Sequence, residues 1–184
     1  MRLIVRLAAP ALALSLLVVA YTAGMARLAP GTPPAMVPRD QWADRIVVDK
    51  PAREMVLMCG GEAVRRYAIS LGAAPQGHKR QEGDERTPEG EYLIDWRNGR
   101  SVAHLSLHIS YPDAADRASA AAAGIDPGGA IMIHGLPNGW GFLGGLHRLW
   151  DWTNGCVAVT NAEMREIWSL VLPDGTPITI LGDT

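Results

Sequence analysis

The chain has 184 residues, which suffices for one domain with a substantial core, and its hydrophobic fraction of 48% argues against disorder. The formal net charge is −2, from 17 basic and 19 acidic residues, so no basic excess points to a nucleic-acid partner. Composition therefore favours a globular protein that does not act on nucleic acid.

The N-terminal segment has the pattern of an export signal. Arg2 and Arg6 precede an apolar run over residues 7–25, which gives the charged start and apolar middle of a signal sequence. That run is also just long enough to cross a bilayer, so residues 1–26 are interpreted as either a signal peptide or a membrane anchor. In both cases the positive-inside rule predicts a periplasmic or otherwise extracytoplasmic domain. Residues 7–25 are the expected membrane contact.

A proline-rich linker follows. Four prolines fall within residues 29–39, which predicts an extended tether without packed structure over residues 27–40. The folded domain is therefore expected to cover residues 41–184.

Hydrophobic patterning in that domain predicts mostly strands. Apolar or alternating runs predict strands over residues 45–49, 54–58, 63–71, 92–96, 103–109, 130–133 and 176–181. Two helices are predicted, one after Asp113 and one after Thr160, each with a capping residue. Residues 72–91 read as a long loop that carries function or caps an edge. The predicted fold class is mainly β (α+β), a β-sandwich or partly open barrel with two inserted helices.

The candidate site is a cysteine and a histidine, each at the end of an apolar strand. His134 closes one run and is followed by Gly135, while Cys156 opens another and follows Gly155. Acyl transfer by cysteine needs a thiolate and a group that moves protons, and an imidazolium neighbour would lower the thiol pKa. From the residues alone, a buried structural cysteine beside a satisfied histidine is an equally good interpretation.

Several motifs in one order resemble the L,D-transpeptidase family, also called YkuD domains. The family pattern of His-Gly, a spacer, and Ser/Thr-x-Gly-Cys-aliphatic is matched by His134-Gly135 and by residues 153–157 (T-N-G-C-V). Upstream, residues 77–92 (G-H-K-R-Q-E-G-D-E-R-T-P-E-G-E-Y) resemble the family's G-D-x-x-T-P-x-G-x-Y element. Residues 110–112 (S-Y-P) and 127–129 (P-G-G) resemble its murein-type members, so the likeness runs from about residue 46 to 181.

The resemblance implies a fold, a reaction and a set of residues. Cys156 would attack a peptide carbonyl in a peptidoglycan stem, His134 would move the proton, and the carbonyl of Gly135 would orient the imidazole. Backbone N–H groups of Gly155 and Cys156 would form the oxyanion hole. An amine acceptor would resolve the acyl-enzyme, and carbapenems, which acylate the family, would trap Cys156. Many relatives carry histidine where this chain has Asn154, so the base role rests on His134.

Further substrate contacts are expected from Asn154, Trp152, Arg148 and Tyr111. Arg148 suits a stem-peptide carboxylate through a forked ion pair, although solvent-exposed arginine is the commoner situation. The glycine- and tryptophan-rich residues 136–152 are interpreted as a mobile lid or, equally, as a packed loop.

Other interpretations remain open at this point. The same Cys156–His134 pair could serve a hydrolase that cuts wall crosslinks or wall-protein links, and the fold could persist as a non-catalytic wall-binding module. Cys59 and Cys156 could form a disulfide, and His147 could replace His134 as base. His78, His104 and His108 lack the short fixed spacings of zinc sites, so neither a metal nor a cofactor is predicted.

Overall fold

The computed structural model describes residues 2–172 and 175–182, and within them eight strands form one mixed sheet. The sheet order is β3-β2-β1-β8-β4-β5-β6-β7, with parallel pairing only between β1 and β8 and between β6 and β7. The strands are β1 (Arg45–Asp49), β2 (Glu54–Cys59), β3 (Glu62–Ala68), β4 (Gly90–Asn98), β5 (Ser106–Ile109), β6 (Met132–His134), β7 (Val157–Ala158) and β8 (Thr176–Leu181).

The two edges of this sheet meet. Beyond the end of β3, Ser70 N–H donates to Ala158 O at 3.0 Å, and Ala158 N–H donates back to Ser70 O at 2.8 Å. The chain after β3 thus pairs with β7, the opposite edge strand, and the sheet curls into a partly open barrel. The mainly β class is confirmed, in its barrel form rather than as two stacked sheets.

The core lies inside the curl, beneath one helix. Alternate strand residues such as Ile46, Val48 and Ile94 are fully buried, as expected for strands with one face against a core. Met164 and Ile167 of α3 (Asn161–Leu170) pack into the same cluster. The predicted capping box is present, because Thr160 Oγ1 accepts from Glu163 N–H and the Glu163 carboxylate accepts from Thr160 N–H.

The other predicted helix is α2 (Ala114–Ala123). Its N-cap is Asp113, whose side chain accepts from the N–H of Asp116, and Gly124 ends it in the left-handed conformation with φ of 67°. Both helices therefore form where the sequence predicted them.

The strand predicted over residues 103–109 is shorter than expected. The run from residue 103 becomes a strand only at Ser106, because His104 has a φ of 64° and cannot continue an extended backbone. The N–H of His104 instead donates to Asn138 Oδ1 at 2.8 Å, and its carbonyl accepts from Gly31 N–H at 2.9 Å.

The linker, expected to be an extended tether without packed structure, makes contacts with the domain. Residues 29–38 form no helix or strand, but they lie along the domain rather than apart from it. Gly31 is bonded to His104, and Val37 N–H donates to Ser169 O at 3.1 Å while its side chain packs against the core.

The tether follows α1 (Arg2–Leu28), whose Pro10–Leu28 part is long and apolar enough to cross a membrane.

Candidate active site

The parallel pair β6–β7 places His134 and Cys156 on one face. Ile133 lies opposite Val157 and His134 opposite Ala158, so Cys156, one residue before Val157, is in register with Met132. Side chains alternate along a strand, so the fully buried Ile133 and Val157 point into the core and His134 and Cys156 point away from it. The two predicted catalytic residues are therefore diagonal neighbours on adjacent strands.

His134 is held in a defined tautomer. Its Nδ1 lies 2.6 Å from Gly135 O, and a carbonyl oxygen can only accept, so Nδ1 carries the hydrogen. The neutral ring therefore has a free lone pair on Nε2. Burial lowers the pKa of His134 and the bond to Gly135 O raises it in part, with a net lowering. This is the form of imidazole that can take up a proton.

The thiol of Cys156 contacts the backbone at the start of β6 and just before it. Met132 N–H donates to Sγ at 3.4 Å, and Sγ donates to Ala130 O at 3.7 Å. Burial raises the pKa of Cys156, while the Met132 N–H and the positive charge of Lys79 lower it, leaving the pKa above its ordinary value.

These directions differ from one expectation. The sequence suggested a thiolate held by an imidazolium, but the pKa of Cys156 is raised and that of His134 is lowered. Both shifts favour the uncharged forms, a thiol at Cys156 and a neutral imidazole at His134. The proton would then move during attack on the substrate.

The turn before Cys156 requires glycine. Gly155 has a φ of 115°, and a Cβ there would lie 2.5 Å from Arg86 O. Gly155 N–H donates to Thr153 Oγ1 at 3.2 Å, and Thr153 Oγ1 donates to Cys156 O at 2.7 Å. Since the Gly155 N–H is already used, Cys156 N–H is the donor that remains from the predicted oxyanion hole.

The long loop after β3 braces this turn from below. Thr153 N–H donates to Leu71 O at 3.1 Å, and Ala73 N–H donates to Thr153 O at 2.9 Å. Gly72 N–H donates to Thr87 Oγ1 at 3.1 Å, and this bond joins the start of the loop over residues 72–91 to a residue near its end.

A polar cleft of about 250 Å³ is bounded by Asn154, two residues before Cys156. Asn154 lines it together with Lys79 and Glu82, and Gly129 borders it next to Ala130, whose carbonyl contacts Sγ. Lys79 is 3% exposed and is fixed by Asp84 Oδ1 at 2.8 Å. Sequence reasoning missed Lys79 as a site residue, although it lies in the 77–92 motif and in the loop predicted to carry function.

Next to His134 the surroundings are apolar. The aromatic loop, residues 136–152, contains two short 3-10 turns within Gly141–Leu149, broken at Gly144. The edge of Trp152 meets the ring of His134 with centroids 5.9 Å apart. A cavity of about 240 Å³ lies behind this contact, lined by Thr22, Leu136, Pro137, Trp140, Leu143, His147, Trp150 and Trp152.

His147 is buried in the aromatic loop, but its chemistry differs from that of His134. Trp152 Nε1–H can only donate and lies 3.4 Å from His147 Nδ1, so this nitrogen accepts and the hydrogen sits on Nε2. The accepting nitrogen of His147 is occupied, which argues against His147 as the base.

Two of the residues expected to contact substrate have partners within the domain. Arg148 forms an ion pair with Glu163, and Tyr111 is buried, donating to Pro127 O at 3.1 Å. Cys59 ends β2 at the far hairpin, and both cysteines are free thiols. Among the described residues, no group of three His, Cys, Asp or Glu side chains is placed to hold a metal ion.

The curled mixed sheet thus forms a partly open barrel that carries a cysteine and a histidine on two adjacent strands. Residues 43–180 match the family described as YkuD, L,D-transpeptidase catalytic domain, and the chain belongs to that family. Its members are enzymes that act on peptidoglycan at the extracytoplasmic cell wall. A comparison with curated protein sequences found no match.

Solved structures share the fold at low identity. The helical cell shape determining protein Pgp2 from Campylobacter jejuni is 20% identical with a TM-score of 0.59, over 87% of this chain and 54% of that one. Bd1075 from Bdellovibrio bacteriovorus is 22% identical with a TM-score of 0.52, over 83% and 52%. This chain thus spans about half the length of either protein.

Proposed function

We propose that this protein is a peptidoglycan L,D-transpeptidase whose acyl-enzyme forms on Cys156. The observation that carries the proposal is the placement of Cys156 and His134 on one face of the β6–β7 pair, with His134 Nδ1 bonded to Gly135 O. A thiol beside an imidazole with a free Nε2 lone pair is the arrangement that nucleophilic catalysis requires.

The reaction follows from these positions. His134 Nε2 takes the thiol proton as sulfur bonds to the stem-peptide carbonyl carbon, and Cys156 N–H stabilises the oxyanion. The carbon–nitrogen bond then breaks, and His134 gives the proton to the departing amine. An acceptor amine attacks the thioester, the carbon–sulfur bond breaks, and the proton returns to sulfur.

The surroundings fit a peptide substrate. The cleft at Asn154 and Lys79 offers polar and charged groups on one side of the thiol, and the Trp152 side offers apolar surface. A stem peptide combines charged termini with short aliphatic side chains, which matches such a two-sided site.

The test uses purified stem tetrapeptides with and without an added amine, with products identified by mass spectrometry. Transpeptidation predicts a crosslinked product with the amine and a carbapenem adduct of one molecule on Cys156. Cys156→Ala should show neither, whereas Cys59→Ala, which alters the distant thiol, should behave as the parent. A product made only with water would instead indicate the hydrolase, and a chain without turnover or adduct would indicate a binding module.

A further inference from the structure

The end of α1 is bonded directly to the aromatic loop. Tyr21 Oη–H donates to Gly139 O at 3.0 Å, Trp140 Nε1–H donates to Thr22 Oγ1 at 3.1 Å, and Asn138 Nδ2–H donates to Ala26 O at 3.2 Å. These contacts fix one short stretch of α1 against one short stretch of the loop.

Gly139 allows this close approach. A Cβ at Gly139, whose φ is 85°, would lie 2.8 Å from Cβ of Met25. The ring of Tyr21 also meets the edge of Trp140 with centroids 5.8 Å apart. The loop and the helix are therefore packed together, not merely neighbours.

The contact lies at a definite depth along the apolar helix. The span Pro10–Leu28 has 19 residues, or about 28 Å of helix, close to the thickness of a bilayer core of about 30 Å. Tyr21 to Ala26 fall in its last turns, so in a membrane they would lie near the outer interface. The linker does not separate the domain from the membrane, because Gly31, three residues after the end of α1, is already hydrogen-bonded to His104.

The outer surface of the aromatic loop suits that depth. Four of its side chains are largely exposed although apolar, namely Phe142 at 74%, Leu146 at 61%, Leu149 at 73% and Trp150 at 60%. Arg148, the one Lys, Arg, Asp or Glu between residues 136 and 150, is paired with Glu163. Aromatic and aliphatic side chains without free charge are typical of surfaces that sit at the headgroup level of a membrane.

We propose that α1 stays in place as a membrane anchor and that Phe142, Leu146, Leu149 and Trp150 insert into the outer interface of the same bilayer. The aromatic loop then couples the anchor to the wall of the candidate active site, since Trp152 at its end contacts His134. This proposal does not depend on the reaction at Cys156.

The experiment measures the depth of the loop in a membrane. The full chain carrying Cys59→Ser and Cys156→Ser receives a nitroxide at Phe142→Cys or Leu146→Cys, and is placed in vesicles of phosphatidylethanolamine and phosphatidylglycerol. Collision rates with oxygen, which concentrates in lipid, and with a water-soluble nickel chelate are compared. Leu181→Cys on β8, 45% exposed in the parent, is the matched control.

If the aromatic loop inserts into the membrane interface, the ratio of oxygen to nickel collision rates should be several-fold higher for nitroxides at positions 142 and 146 than at position 181. Equal nickel access at all three sites would place the loop in water and overturn the proposal. Shielding of positions 142 and 146 from both reagents would indicate a protein partner and would also overturn the proposal. So would a measured chain mass that lacks the N-terminal segment, because the anchor would then be absent.

A second measurement covers the case in which labelled variants do not fold. Lipids brominated near the headgroup should quench the native tryptophan fluorescence, and Trp150→Phe should remove a large share of that quenching. Trp96→Phe, which alters a tryptophan 42% exposed on β4, should leave the quenching unchanged. Equal losses in the two variants would count against insertion of the loop.

Discussion

Asp151 joins Arg53 to the turn that carries the candidate nucleophile. Its Oδ2 accepts from Arg53 Nη2–H at 2.8 Å, and its Oδ1 accepts from Leu71 N–H at 2.8 Å. Leu71 O in turn accepts from the N–H groups of Trp152 and Thr153. The Asp151 carboxylate therefore fixes the position of the backbone five residues before Cys156.

Asp151→Asn should therefore lower stability and disturb the site. The amide keeps the shape but loses the ion pair, with an expected cost of about 1 to 2 kcal/mol because Arg53 is partly exposed. Thermal unfolding measures this cost, and the rate of carbapenem acylation measures the effect on Cys156. Glu54→Gln, which breaks the surface pair with Arg66, is the control and should change neither. An Asp151→Asn protein with the parent's melting temperature would contradict the assignment.

The fold was largely predictable because its signals are local. Alternating burial in β1 and the N-caps of the two helices at Asp113 and Thr160 each depend on residues close in sequence. Closure of the sheet through Ser70 and Ala158 depends on the full topology, so only the fold family could suggest it.

The candidate site divides in the same way. His134 and Cys156 stand out because each ends an apolar run next to glycine, and the family motif ties them together. The pKa of Cys156 does not follow from the motif, because it is raised by burial, which only the packed structure reveals. Lys79 and Asp151 were missed because their roles depend on partners that folding brings to them.

Gly155→Ala tests the close approach below the candidate nucleophile. The added Cβ would lie 2.5 Å from Arg86 O at a φ of 115°, so the turn must move and Cys156 with it. We expect a loss of about 2 kcal/mol or more in stability and loss of the carbapenem adduct, measured by thermal unfolding and mass spectrometry.

Gly60→Ala is the matched control for that strain. Gly60 also has a positive φ, 61°, but nothing lies within 4 Å of the position that an added methyl group would take, so only the backbone cost of about 1 kcal/mol applies. The adduct on Cys156 should form normally in Gly60→Ala. Equal effects of the two variants would show that the contact with Arg86 does not matter.

The pair Lys79–Asp84 should make the cleft sensitive to acid. Burial alone raises the pKa of Asp84, but backbone N–H groups of Arg80, Arg86 and Gln81 together with Lys79 hold it at about 2. A carboxyl group whose pKa is lower in the folded than in the unfolded protein stabilises the fold at pH values above its unfolded pKa of about 3.9. This contribution to stability is lost as the pH falls towards 2. Asp84→Asn should remove that part of the acid dependence.

The same variant should also cost stability at neutral pH. Asp84→Asn leaves the ammonium of Lys79, 3% exposed, without its counter-charge, for an expected loss of about 3 kcal/mol. Urea unfolding at pH 7 and pH 3 measures both effects. Asp49→Asn, which alters a turn carboxylate near the surface that is bonded to Ala52 N–H, is the control. A loss in Asp84→Asn that is the same at both pH values would rule out the linkage.

The neutral resting pair predicts two different pH profiles for one thiol. Iodoacetamide needs a thiolate, and since burial raises the pKa of Cys156, alkylation should become fast only above the ordinary thiol range of about pH 8.5. Carbapenem acylation uses His134 as base instead. Because the pKa of His134 is lowered, its accepting form persists below about pH 6.5, and acylation should decline only under that value.

His134→Ala separates the two profiles. Without the base, acylation should fall by about 10²- to 10⁴-fold, while the alkylation profile should stay at high pH because no imidazolium was lowering it. Stopped-flow acylation and mass-resolved alkylation between pH 5 and pH 10 give both curves. His147→Ala, which removes the other buried ring near Trp152, should keep most of the acylation rate. Fast alkylation of the parent near pH 6, abolished in His134→Ala, would show a thiolate–imidazolium pair and refute the neutral one.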